Sequence, residues 1–205
     1  MKRNLLHRLL ENPWVYTLSQ QLWYRKGQQQ AYIDAWVRPR AGDHILDIGC
    51  GPGKILERLP PVHYVGYEPN AHYVEQAVAR FGAQGTFRNE QLTQLPVEER
   101  QTFDIVLANG VIHHLSDEQS NRLMSVAWEA LKPGGRIITR DGCFEERQGR
   151  FARWLLRHDR GSFVRTQENY QALFGERFDI VRTEILLDAL RLPYSLIHFE
   201  AVKRV

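Results

Sequence analysis

Two cysteines in 205 residues, Cys50 and Cys143, are too few for a disulfide framework and show no metal-ligand spacing. No apolar run comes near the roughly 18 residues that would suggest a membrane span. The amino-terminal MKRNLLHRLL starts with positive charge, but His7 and Arg8 interrupt the apolar stretch that a signal peptide requires. Internal repeats and low-complexity linkers are missing as well. These features predict a cytoplasmic protein with reduced thiols and no bound metal. Hydrophobic content of 43% and charged content of 25% suit a single globular domain with a substantial core.

Neither sign of charge dominates, since 27 Lys and Arg face 24 Asp and Glu for a net +3. The excess is uneven: between Lys132 and Arg165 stand nine basic and four acidic residues. Such a segment suits either a solvated surface or contact with an anion. Within it, Arg150, Arg153 and Arg157 share one helical face, opposite Phe151, Trp154 and Leu155. The aromatic face is expected inward, and the arginine face outward. Arg140, Arg160 and Arg165 fall at strand ends or loops, where they could point toward a bound acceptor.

Strand and helix patterns alternate from residue 45 to 140. HILDIG (44–49), HYVGYE (63–68), GTFRN (85–89), FDIVLAN (103–109) and RIITR (136–140) read as strands. KILERL (54–59) reads as a short helix. NAHYVEQAVARFG has Asn70 as cap, a stripe of Val74, Ala77, Val78 and Phe81, and Gly82 at its end. SDEQ (116–119) is a capping box that opens a helix carrying Leu123, Val126, Ala127 and Ala130, and KPGG stops it. This alternation predicts an α/β fold with a parallel sheet. Residues 14–37 place Val15, Leu18, Leu22, Ile33, Trp36 and Val37 at helical spacing, as a cap over residues 1–40 ahead of a domain over 41–205. Residues 145–158 and 166–174 read as helices, and 178–187 and 194–205 as a closing antiparallel hairpin.

The stretch ILDIGCGPGKIL (45–56) sets Asp47 in an apolar strand and then three glycines within five residues. Glycines there let backbone N–H groups approach a ligand closely. A Walker A loop requires a hydroxyl after its lysine, and Ile55 follows Lys54. A dinucleotide fingerprint requires a third glycine where Lys54 stands, and a diphosphate would be repelled by Asp47. A ligand with a cationic amine or sulfonium and one ribose fits better, with Asp47 facing the cation and Glu68 accepting from the ribose hydroxyls.

These segments, in this order, resemble the class I S-adenosylmethionine-dependent methyltransferases. LDIGCGPG resembles their first motif, VGYEP their ribose-binding acid, and FDIVLANGVIHHL and LKPGGRIIT their fourth and fifth strands. The resemblance spans residues 40–142. It implies a Rossmann-like, doubly wound, seven-stranded, mostly parallel sheet with S-adenosylmethionine as cofactor. Carried over, it sets Asp47, Gly49, Cys50 and Gly51 around the methionine portion and Glu68 at the ribose. Pro69, Gln91 and Leu92 would lie at the adenine, with Gln91 where relatives commonly have aspartate. The Asn109 backbone carbonyl would meet the cofactor ammonium.

Methyl transfer is an in-line displacement, so the protein must align reactants, exclude water and, for a protonated acceptor, supply a base. His113, His114 and Asp141 follow the fourth and fifth strands, where open sheets bind ligands, and are the candidate catalytic groups. Tyr24 and Tyr194 are candidates to line the acceptor site. A small-molecule acceptor, methylated on oxygen or nitrogen, is expected in a compact pocket. Nucleic acid is not the expected partner, although the Arg-rich segment 147–165 leaves a polyanion as the alternative. A non-catalytic cofactor-binding protein is the third reading.

Overall fold

The computed structural model describes residues 27–158, 162–187 and 193–205. The five apolar segments with period-two burial form β1 (His44–Ile48), β2 (His63–Tyr67), β3 (Gly85–Arg88), β4 (Phe103–Asn109) and β5 (Leu131–Phe144), paired in parallel. Then come β6 (Arg165–Thr166), β7 (Phe178–Leu186) and β8 (Leu196–Lys203). The main sheet runs β3-β2-β1-β4-β5-β8-β7, with β8 antiparallel to both of its neighbours. The expected seven-stranded path and closing hairpin are therefore present. One addition was not expected: the two-residue β6, which pairs with β5 at Cys143 and Phe144.

The chain leaves β1 toward β2 and β3 on one side and returns through β4 and β5 on the other. That reversal opens a crevice at the carboxyl ends of β1 and β4, where open α/β sheets hold ligands. Alternation along each strand sends Leu46, Val106 and Ile137 to one face, under α3 (Asp117–Ala130) and α5 (Gln167–Phe174). Ile45, Ile105, Leu107 and Ile138 go to the other face. There they meet Phe81 of α2 (Ala71–Phe81), and Ile33, Trp36 and Val37 from a wide helical turn that continues α1 (Gln28–Tyr32).

Helix starts follow their cap chemistry. The Asn70 side chain accepts from the His72 N–H to begin α2, and Ser116 and Gln119 form a reciprocal capping box at α3. Such caps are worth about 1 kcal/mol each. KILER (Lys54–Arg58) is a turn of 3-10 helix rather than an α-helix.

At the amino ends of the strands, Glu200 accepts from Arg38, Lys132 pairs with Asp104 at 2.7 Å, and Arg136 donates to the Val37 carbonyl at 2.6 Å. These bonds tie the end of the wide turn and Arg38 to β5 and β8, and β5 to β4.

One expectation fails at α4 (Arg150–His158), which begins five residues later than the pattern suggested. Its inward residues are Ala152 and Leu156, while Phe151 is 55% and Trp154 50% exposed. The helix approaches Gly142 so closely that a Cβ there would lie 2.9 Å from Leu156 Cδ2. That approach admits the stripe with alanine, so the rings sit on the next stripe and stack on each other with centroids 5.9 Å apart. Arg150, Arg153 and Arg157 are exposed, as expected.

The hairpin is anchored by Phe199, fully buried with its ring 5.1 Å from Phe174 and 6.4 Å from Tyr170. Phe199→Ala is expected to cost about 3–5 kcal/mol by cavity formation, measured as a lower urea midpoint with an unchanged m-value.

Candidate active site

Asp47 is the next-to-last residue of β1 and points to the face covered by α1. Its carboxylate is buried and accepts from the Tyr64 hydroxyl at 2.7 Å. Burial pushes its pKa up to about 7; the Tyr64 bond opposes the rise, Glu68 adds to it and Arg140 opposes it. A carboxylate held this way is matched by a cation brought to its side.

The turn that follows is stitched to the end of β2. Gly49 and Cys50 donate their N–H groups to the Tyr67 carbonyl at 2.8 and 3.1 Å. Gly49 has a φ of 74°, and a Cβ there would lie 2.5 Å from Val111 Cγ2, so only glycine fits. Gly51 donates its N–H to Glu68 Oε2 at 3.1 Å, and Asn70 donates its own to Glu68 Oε1 at 2.8 Å. Burial raises the Glu68 pKa, against the pull of these two bonds.

Asp47, Gly49, Cys50, Gly51 and Asn109 line one cavity of about 130 Å³, with Gln29, Tyr32, Lys54 and Arg140 among its other walls. Tyr32 donates its hydroxyl to Asn109 Oδ1 at 2.6 Å, and the Arg140 guanidinium lies 4.3 Å from the Tyr32 ring centre. Neither Tyr32 nor Gln29 was anticipated. The spacing 29, 32, 33, 36 on one helical face was the signal that could have found them. Behind Tyr32, His198 is buried edge-on to Tyr32 and Trp36, with neither ring nitrogen hydrogen-bonded. Burial, then Arg140 and Arg182, push its pKa down to about 3.

The remaining candidates are dispersed. Pro69 and Gln91 are exposed, while Leu92 is packed in the core with Tyr67 and Leu95, and none of the three lines the cavity. Cys50 sits over Gly66, and burial pushes its thiol pKa far up, so it is a filler of the turn and not a nucleophile. Tyr194 is buried against Gly142 with Leu156 and Leu196 around it, away from the cavity. Tyr24 and Arg160 lie outside the described residues.

The structure brings His113 and Asp141 together, with Nδ1 2.8 Å from Asp141 Oδ1 and the His113 N–H 3.2 Å from the same oxygen. Asp141 is 1% exposed, and its Oδ2 has no hydrogen-bond partner. His114 is exposed, its ring 4.1 Å from that of His113. His113 and Asp141 are not cavity walls: Arg140 points into the cavity, and the next residue, Asp141, points to the opposite face. Arg165 corrects an expectation, since it is buried and spends its guanidinium on the loop 112–120 and not on a ligand site.

Among the described residues, no group of three His, Cys, Asp or Glu is placed to hold a metal ion. The same residues contain no helix long and apolar enough to cross a membrane. The buried Asp47, beside a glycine turn with no phosphate-binding lysine and hydroxyl pair, fits a cationic ligand. The Glu68 carboxylate at the end of the neighbouring strand suits a diol.

Residues 46–137 match the family model described as "Methyltransferase domain". An uncharacterized methyltransferase of Geobacillus kaustophilus is 27% identical over 116 residues, 55% of this chain and 53% of that protein. A probable tRNA methyltransferase 9B of Bos taurus is 34% identical over 125 residues, 57% of this chain but 27% of that protein. The chain thus spans about half the length of the first relative and about a quarter of the second. In fold it is similar to a SAM-dependent methyltransferase of Methanosarcina mazei (TM-score 0.70, 18% identity, 82% of this chain and 95% of that one). It is similar also to geranyl diphosphate C-methyltransferase of Streptomyces coelicolor A3(2) (TM-score 0.70, 15% identity, 87% and 76%). The strand order, the glycine turn and the acid ending β2 agree with these likenesses: residues 46–137 resemble a methyltransferase domain, and the fold is that of SAM-dependent methyltransferases.

Proposed function

We propose that this chain methylates a small-molecule acceptor on oxygen or nitrogen. The observation that carries this reading is the fate of the eight described basic residues among the nine between Lys132 and Arg165. Lys132 and Arg136 are paired at the amino ends of the strands, far along the sheet from the cavity. Arg165 is buried in β6 against the loop that follows β4, and Arg140 lies in the cavity wall. Arg147, Arg150, Arg153 and Arg157 remain on the surface around α4. Among the described residues of this segment, the charges are divided between the far end of the sheet, the interior, the cavity wall and α4, and do not form one continuous track of the kind a polyanion requires. The position of α1 over the cavity supports treating residues 1–40 as a cap to a domain formed by residues 41–205.

In this reading Asp47 and the Asn109 backbone carbonyl take the ammonium of S-adenosylmethionine, the Gly49–Gly51 turn cradles its methionine portion, and Glu68 accepts from the ribose hydroxyls. Bound there, the cofactor supplies an electrophilic methyl group on sulfur. Tyr32 and Arg140 close the cavity and exclude water. Asp141 accepts from His113 Nδ1–H, which fixes the tautomer and gives Nε2 the lone pair. His113 is the group that orients the acceptor or takes its proton.

The reading is tested by incubating the protein and tritiated S-adenosylmethionine with total tRNA and, separately, with a deproteinised small-molecule extract. Label is expected in the small-molecule fraction, undiminished when Arg150, Arg153 and Arg157 are all replaced by alanine. Label in tRNA that is lost in the triple variant would overturn the reading. Glu68→Ala is expected to weaken S-adenosylhomocysteine binding by about ten- to a hundred-fold, since charge-assisted bonds contribute about 1.5–3 kcal/mol each; titration calorimetry reads this directly. Because ionised Asp47 attracts the ligand ammonium, that affinity should rise up to about tenfold from about pH 6 to about pH 8. Asp47→Asn should bind more weakly with a flat pH profile.

A further inference from the structure

We propose that Arg165 is the positioning residue of the His113–Asp141 pair, holding the histidine loop in the one geometry that lets Asp141 reach Nδ1. The proposal rests on the reading of His113 as the acceptor-side group.

His113 sits in a single turn of 3-10 helix, Ile112–His114, between the end of β4 and the cap of α3. So short a turn has little internal hydrogen bonding to fix it. The fixing comes from outside. Arg165, 7% exposed, donates from Nη1 to the Ile112 carbonyl at 3.1 Å and from Nη2 to the Leu115 carbonyl at 2.8 Å. Those two carbonyls bracket His113 and His114. The same Nη2 reaches Ser120 Oγ at 3.3 Å and Asp117 Oδ1 at 2.7 Å, which carries the grip into the first turn of α3.

The grip continues along the backbone. Phe163, two residues earlier, donates its N–H to the His113 carbonyl at 3.0 Å. Arg165 itself pairs with Cys143 in β5, two residues beyond Asp141. One short strand therefore holds the histidine by its carbonyl and its flanking turn, and the aspartate through its own strand. This arrangement explains why β6 exists at two residues and why a buried cation is placed there. It also requires arginine, because a lysine ammonium keeps the charge but cannot span carbonyls on both sides of the histidines.

The cofactor cavity lies on the other face of the sheet and contains no atom of Arg165. Loss of the grip should therefore disturb His113 and leave cofactor binding intact, whereas a loss of general stability would weaken both. The experiment records ring 15N signals of histidine-labelled full-length protein, with His113 assigned by its disappearance in His113→Asn. In Arg165→Lys the His113 signals are expected to move toward the averaged values of a free imidazole, with S-adenosylhomocysteine affinity within about twofold of the parent by calorimetry. His113 signals that superimpose on the parent's would overturn the proposal, as would a parallel loss of cofactor affinity. Should the Arg165 variant not fold, Asp117→Ala decides, since that carboxylate is 83% exposed and its removal takes away only the acceptor of Nε and one of the acceptors of Nη2. A smaller shift of the same signals is expected, and no shift overturns the proposal. The underlying reading fails separately, if His113→Asn transfers methyl groups to the extract acceptor at the parent rate.

Discussion

The hydrogen bond that Tyr64 donates to Asp47 keeps a carboxylate in the interior, at the one place where the sheet changes direction. Everything at the cofactor end is arranged around it. Parallel pairing sets Asp47 opposite Gly66, and the absent side chain there leaves room for Cys50 to fold down over β2. Folding down brings the Gly49 and Cys50 amides onto the Tyr67 carbonyl, and that in turn delivers the Gly51 amide to Glu68. A bulkier residue at position 49 or 66 would break the sequence of contacts at its first step. Burying Asp47 carries a cost that the Tyr64 bond offsets only in part, which leaves its pKa raised to about 7.

The period-two geometry of β5 divides the labour between the two faces of the sheet. Arg140 and Asp141 are adjacent in the chain, yet one walls the cavity beside Asn109 and the other holds His113 under the loop that follows β4. The cavity side is therefore framed by strands β1, β4 and β5 with α1. The histidine side is framed by β5, β6 and α3. The two sides adjoin at Arg140 and Asp141 in β5 and again at the carboxyl end of β4, over the residues from Asn109 to His113.

Much of this was legible in the sequence, for identifiable reasons. The strands announce themselves because each alternates between two well-packed faces, and the caps of α2 and α3 because Asn70 and Ser116 have no other good use. Asp47 and Glu68 stand out as carboxylates at the ends of apolar runs, a pattern that costs stability unless it serves a ligand. What was hidden depended on non-local approach. Nothing local says that α4 meets the sheet over Gly142 and so turns Ala152 and Leu156 inward and Phe151 and Trp154 outward. The burial of Arg165 depends on carbonyls some fifty residues away. Gln91, where relatives commonly have aspartate, is exposed.

His198 and Asp47 together set an unusual proton balance for the ligand-free fold. The buried histidine has its pKa lowered to about 3, so it contributes stability at neutral pH that is lost on acidification below the unfolded value of about 6.5. The buried aspartate has its pKa raised to about 7, so it contributes stability in acid that is lost as pH rises from about 4 through that value. Across the shared window, on folding His198 releases a proton and Asp47 takes one up. The two slopes, each about 1.4 kcal/mol per pH unit, have opposite sign and cancel. Between these two groups alone the contributions offset each other over that window, and removing either group would expose the acid or alkaline sensitivity of the other.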